Sequence, residues 1–167
     1  GGSYEYRICS AFDCSVVEHA YGSSAGNVDD GEYVQLRLTS SAAENTTLTA
    51  TLTIGNGSAD WAVTTEDITP DTFDFSDVPS IPVSTQVESD IVQVINFDDG
   101  TPISIDGAGA YEYRICSTFD CSVVEHAYGS SAGNVDDGEY VQIQLTSSAA
   151  ENTTLTATLT IGNGSAD

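Results

Sequence analysis

Residues 4–60 of this chain recur at 111–167, an offset of 107, and the two copies differ only at Ala11/Thr118, Leu36/Ile143 and Arg37/Gln144. Self-similarity at a domain-sized period predicts stacked modules that share one fold, because each copy must bury the same apolar face in the same way. Residues 61–110 occur once, so the chain carries about one and a half periods. The expected division is 1–66, the C-terminal part of one repeat, and 67–167, the next repeat without its last strand. Two arrangements complete such modules. Either the sequence is a window onto a longer tandem array, the more ordinary case, or each chain borrows strands from its neighbours across open sheet edges. Near-identity of the copies favours a polymer of like modules over an enzyme with one specialised site.

Acidic residues number 26 against 3 basic ones, all arginine, for a net charge of -23. Such a surface repels nucleic acid and anionic membrane and attracts cations, with calcium as the natural candidate. The plainer reading is that the acid excess only solvates the protein. No apolar run is long enough to span a bilayer, so no membrane insertion is expected. Without lysine, no Lys–Asn isopeptide crosslink can form.

The four cysteines form two identical C-x4-C pairs, Cys9 with Cys14 and Cys116 with Cys121. This spacing is unlike C-x2-C metal knuckles and reads as two local disulfides made in an oxidising compartment, each pinning a hairpin tip. Thr47 to Ile54 alternates strictly, sending Leu48, Ala50, Leu52 and Ile54 to one face, the period of a half-buried strand. Tyr33 to Leu38 follows the same logic. Thr72 to Val78, Ile91 to Ile95, Pro102 to Ile105, Tyr111 to Cys116 and Trp61 to Val63 are the other expected strands, and Thr64 to Asp71 is the expected linker. Helical periodicity is absent. Short strands between Gly, Asp, Asn and Pro turns predict an all-β fold, an antiparallel two-sheet sandwich of about seven strands per module.

The runs Thr69–Val78, Val83–Thr85, Pro102–Ile105, Glu112–Cys116, Asp137–Gln142, Leu145–Ser148 and the Thr-Leu-Thr-Ile-Gly ending at Gly162 resemble the immunoglobulin-like repeats of large bacterial surface proteins. That resemblance implies immunoglobulin-like antiparallel β-sandwich repeats in tandem, extracellular and at the cell surface, in adhesins or filaments whose partners are further copies of themselves or surface glycan. The Cys-x4-Cys hairpin departs from the plainer members of that family.

Several residues stand as candidate sites. Glu66, Asp67 and Asp71 flank the linker, while Asp98, Asp99, Asp136 and Asp137 sit at turns. Together they could supply oxygen ligands to calcium, and the rival reading is Asx turns and solvated strand ends. Asp74 and Asp77 alternate with aromatic residues nearby. Trp61, Ala62, Val63, Thr64 and Thr65 are the segment expected to pass between chains if strands are exchanged. Trp61 otherwise reads as core or junction packing, or, with Tyr21 and Tyr33, as a sugar platform. Asn45, Asn56, Asn152 and Asn163 each begin an N-x-S/T glycosylation pattern. His19 and His126 read as loop or surface residues rather than catalytic ones, since no partner acid or nucleophile is specified.

Overall fold

The computed structural model describes residues 3–167 and shows antiparallel strands, with no helix among the described residues. The chain divides into two compact units, one ending at Glu66 and the other beginning at Asp67.

In the first unit, β1 (Tyr4–Cys9) lies between β2 (Val17–Gly22) and β3 (Tyr33–Leu38) in a three-stranded sheet. A long hairpin of β4 (Thr47–Ile54) and β5 (Gly57–Thr64) forms a separate two-stranded sheet. The turn of this hairpin is Gly55-Asn56, with Gly55 at φ 59°, and it sets the register Ile54↔Gly57 through Thr47↔Thr64. A positive φ at the first turn residue is what a two-residue loop needs to match the strand twist. β4 keeps the expected bounds, and β5 runs four residues earlier than the expected strand because Gly57 to Asp60 pair rather than turn.

The second unit holds β6 (Gln86–Glu88), β7 (Val92–Gln93), β8 (Thr101–Gly107), β9 (Tyr111–Cys116), β10 (Val124–Gly129), β11 (Gly133–Val135), β12 (Tyr140–Thr146), β13 (Ala157–Ile161) and β14 (Gly164–Ala166). One sheet runs β10-β9-β12-β6 with β7 also on β12, and the other runs β11-β8-β13-β14. Their inner faces share one buried cluster, in which Ile103 and Ile105 of β8 and Leu159 and Ile161 of β13 meet Tyr113 and Ile115 of β9 and Val141 and Ile143 of β12. Phe73, Phe75, Val94 and Phe97 close this cluster from loops.

Thr72 to Val78, expected as a strand, joins no ladder. Its period-two pattern is real, since Phe73 and Phe75 are buried while Asp74 is exposed. The backbone is held by side chains instead: Phe75 N–H donates to Asp74 Oδ1 and Ser76 N–H to Asp90 Oδ1. Aspartates that satisfy an extended backbone locally remove the need for a neighbouring strand. Ile91 to Ile95 shrinks to the two residues of β7, beyond which Val94 N–H donates to the backbone carbonyl of Glu139, just before β12.

The repeat supplies a control inside one molecule. β2-β1-β3 reproduces β10-β9-β12, and β4-β5 reproduces β13-β14. In the first unit nothing among the described residues plays the part of β6, β7 and β8. Gly26 to Val28 accordingly form no strand, whereas the identical Gly133 to Val135 form β11 against β8. Ile54 is 46% exposed and Ile161 0%, although the residues around them are the same. With the local sequence the same, the neighbouring strands decide both whether a short segment such as Gly133 to Val135 becomes a strand and whether a strand face is buried.

Candidate functional site

Both disulfides form, Cys9–Cys14 and Cys116–Cys121, with Cα–Cα distances of 5.0 and 5.1 Å. Each closes the turn that follows β1 or β9. Cys14 and Cys121 take positive φ, 52° and 48°, and their N–H groups donate to Ala11 O and Thr118 O, both at 2.9 Å. Asp13 and Asp120 accept from the N–H of Ser15 and Ser122, and hydrogen bonding first from these serine side chains and then from their backbone N–H groups holds both carboxyls below their ordinary range. The closed loop lifts a phenylalanine into solvent: Phe12 is 85% exposed and Phe119 67%. Each ring meets a tyrosine edge-on, Phe12 with Tyr33 at 5.6 Å and Phe119 with Tyr140 at 5.9 Å. The C-x4-C spacing was legible from sequence, but the exposed phenylalanine was not, because an isolated aromatic reads first as core.

Arg7 and Arg37 lie on the β2-β1-β3 sheet of the first unit, opposite Gln35 and Glu5, and Arg114 lies on the β10-β9-β12 sheet of the second, opposite Gln142. Arg7 and Arg37 flank the Tyr21 ring at 5.0 and 4.2 Å, and Arg37 also pairs with Glu5. Arg114 lies 4.9 Å over Tyr128, and both donate to Gln142 Oε1, while Gln142 Nε2 donates to Ser89 O at 2.6 Å. Cation–π contacts of this kind contribute about 0.5–1 kcal/mol each. At position 144, where the first copy has Arg37, Gln144 faces Glu88 Oε1 at 3.5 Å. The Tyr128 hydroxyl is pushed up to about 12, first by burial, which Arg114 opposes and to which Glu88 and Glu112 add. A hydroxyl raised from 10 in this way lends stability that is whole below pH 10 and is lost as pH rises through about 12. Phenolate absorbance should therefore show a late-titrating tyrosine that vanishes in Tyr128→Phe, with unit two losing stability over the same pH window.

The acidic residues converge on one end of the second unit, where they knit loops together. Asp67 N–H donates to Asp98 Oδ2 at 2.8 Å, and Asp98 N–H returns to Asp67 O at 2.7 Å. Asp137 N–H donates to Asp99 Oδ1, Gly100 N–H to Asp136 Oδ1, Asn96 N–H to Asp137 Oδ1 and Asn96 Nδ2 to Asp71 Oδ2. Burial raises the Glu139 carboxyl, which accepts from Asp136 N–H. Among the described residues no three of these carboxylates surround a common point as metal ligands would. Glu66 lies in the other unit, where its carbonyl accepts from Asn45 N–H. Of the candidate calcium ligands, Asp98, Asp99, Asp136 and Asp137 accept from backbone N–H groups and Asp71 from the Asn96 side-chain amide.

Trp61, Ala62, Val63 and Thr64 belong to β5 and pair with Ala50, Thr49, Leu48 and Thr47; Thr65 Oγ1 donates to Ala43 O. Asn45, Asn56, Asn152 and Asn163 are all exposed. His19 and His126 stack on Tyr6 and Tyr113, with ring centroids 5.4 and 5.1 Å apart. Comparison of the chain with family models, curated proteins and solved structures finds no match.

Proposed function

We propose that the chain is a length of immunoglobulin-like β-sandwich repeats that serves as a structural, non-enzymatic stalk or filament on an extracellular bacterial surface. The observation that carries this reading is the repeat itself. Two copies, almost identical in sequence, build the same three-stranded sheet with the same disulfide-closed turn. A function that resides in one site needs one site; a function that resides in length, stiffness and resistance to proteolysis needs many like modules. Each module resists extension through its antiparallel ladders, and the disulfide stops local unravelling of the β9-β10 turn and its first-copy equivalent. The large negative charge keeps neighbouring stalks apart.

Negative-stain electron microscopy of the native material tests this reading. Beaded strands or continuous filaments of regular repeat are the expected result, and dispersed single particles would refute it. A second reading, a module that binds surface glycan, draws on the exposed Phe12 and Phe119 beside Tyr33 and Tyr140, since aromatic faces stack on sugar rings. Glycan-array binding that is lost in Phe12→Ser/Phe119→Ser would establish it.

A further inference from the structure

The disulfide-closed turn displays the same apolar surface in both units. Phe119 is exposed in the second unit, where β6 and β7 pair with β12, as Phe12 is in the first, so the loop itself sets the exposure. Val123 and Val124, like Val16 and Val17, stand exposed just after the loop. The residue before the ring differs between the copies, Ala11 or Thr118, and the ring stays in solvent in both. A contiguous exposed apolar patch forgoes the stabilisation of burial and marks a contact surface. The loop holds its ring in place before any ligand arrives: Ser117 N–H donates to Val123 O at 3.1 Å, Cys121 N–H to Thr118 O at 2.9 Å and Val123 N–H to Thr118 Oγ1 at 3.3 Å. Little freedom is then lost on binding.

The surroundings of this patch are anionic. Asp120 follows Phe119, and Glu139 precedes Tyr140, whose ring meets Phe119 edge-on at 5.9 Å. Burial first raises the Glu139 carboxyl, and the charges of Asp136, Glu125 and Asp99 raise it further, so four carboxylates gather beside Tyr140. No lysine offsets them, and each arginine is engaged elsewhere: Arg7 with Gln35, Arg37 with Glu5 and Arg114 with Gln142. A second copy of the chain, at a net charge of -23, is repelled. Charge complementarity therefore calls for a cationic partner. Size decides its kind. A stable protein interface takes roughly 800 Å² a side, whereas one aromatic side chain buries about 150–250 Å². A convex tip of one phenylalanine and one tyrosine suits a single flat ring.

The geometry points to a cationic glycan: each disulfide-closed tip binds a sugar polymer whose rings carry free amino groups, a ring face lying on Phe119 or Phe12 and the ammonium groups meeting the carboxylates around it. Ammonium groups are also drawn to the faces of the aromatic rings themselves. This rests on the glycan reading above and names its ligand. One tip is a weak site. A polymer of identical sugars meets identical tips in successive repeats, and linked weak contacts add up to a firm hold. The acid excess of the chain draws a polycation in from a distance, and salt weakens that attraction.

The test titrates the full chain, by calorimetry, with a glucosamine hexamer and with its N-acetylated, uncharged counterpart. Mildly acidic buffer keeps the sugar amines protonated while the lowered Asp13 and Asp120 stay ionised. At about 0.15 M salt, where the screening length is roughly 8 Å, the amino hexamer should bind at least about tenfold more tightly than the acetylated one and saturate two sites per chain. Phe12→Ser and Phe119→Ser should each remove one site, and the double variant both. Asp13→Asn/Asp120→Asn, which keeps an acceptor for the serine N–H groups, should weaken binding several-fold. Unchanged hydrogen-exchange protection around Leu36-Arg37 and Ile143-Gln144 certifies that the variants fold. Binding that survives the double phenylalanine variant would be diffuse attraction to an acidic surface and would overturn the proposal. So would oligolysine of equal charge binding as tightly as the amino sugar, or no binding of the amino sugar. Phenylalanine-dependent binding of neutral glycan with no preference for amines would leave the glycan reading in place and overturn this inference alone.

Discussion

Ile161→Ala should cost the second unit about 3 kcal/mol, whereas Ile54→Ala, the same change at the same place in the other copy, should cost the first unit less than about 1 kcal/mol. Ile161 is 0% exposed within the cluster shared by β8, β9, β12 and β13, and its truncation leaves a cavity that close-packed neighbours cannot collapse into. Ile54, at 46% exposed, has solvent where Ile161 has the opposite sheet. Strand propensity, turn chemistry and flanking residues are identical in the two cases, so the contrast isolates burial from everything local. Urea denaturation of the two variants measures it, with Trp61 fluorescence following the first unit and near-ultraviolet circular dichroism of the tyrosine-containing core following the second.

Gly162→Ala should be more disruptive still, and Gly55→Ala mild. Both glycines hold left-handed backbone, with φ 52° at Gly162 and 59° at Gly55, and an L-residue there costs about 1 kcal/mol. The two positions then part. A Cβ on Gly162 would sit 1.7 Å from the Ile68 carbonyl oxygen, 2.8 Å from its carbon and 3.1 Å from Thr101 Cγ2, whereas a Cβ on Gly55 meets nothing within 4 Å. The clash is with backbone, which cannot swing aside as a long side chain would. Relief requires moving Ile68, whose carbonyl accepts from Asn163 N–H, and Gly162 N–H is itself held by Pro102 O. Overpacking of this kind adds about 3 kcal/mol. Thermal unfolding of the two variants should therefore show a large loss for Gly162→Ala and a shift within a few degrees for Gly55→Ala.

These paired contrasts also define what could be read from the residues alone. Strict alternation gave Thr47 to Ile54 and Tyr33 to Leu38 their bounds, because period two is a property of the strand by itself. The cysteine spacing gave both disulfides. β2 and β10 were not anticipated: Val17 to Gly22 carries Glu18, His19 and Tyr21 without a clean apolar face, and its pairing with β1 slips register twice, which breaks the pattern that would announce it. β6 was missed because three residues leave too short a signal. The extended Thr72 to Val78 misled in the other direction, since buried phenylalanines imitate a strand face while aspartates satisfy the backbone. Composition could not separate acid residues that bind a cation from those that cap loops, because the two uses differ only in whether carboxylates point to a shared centre or to separate N–H groups. Around Asn96 and Gly100, Asp137 and Asp136 accept from backbone N–H groups and Asp71 from the Asn96 side-chain amide.

Hydrogen–deuterium exchange of the intact chain, read by mass spectrometry, puts the modular reading to its test. Fragments that carry Leu36-Arg37 or Ile143-Gln144 report β3 and β12 separately, since the two copies differ there in mass. If completion by β6, β7 and β8 decides stability, β12 should exchange roughly a hundredfold more slowly than β3, the equivalent of about 3 kcal/mol in opening free energy. Equal protection of the two copies would mean that residues 4–60 are stable on their own, and that the segment seated against the second copy contributes nothing the first one needs.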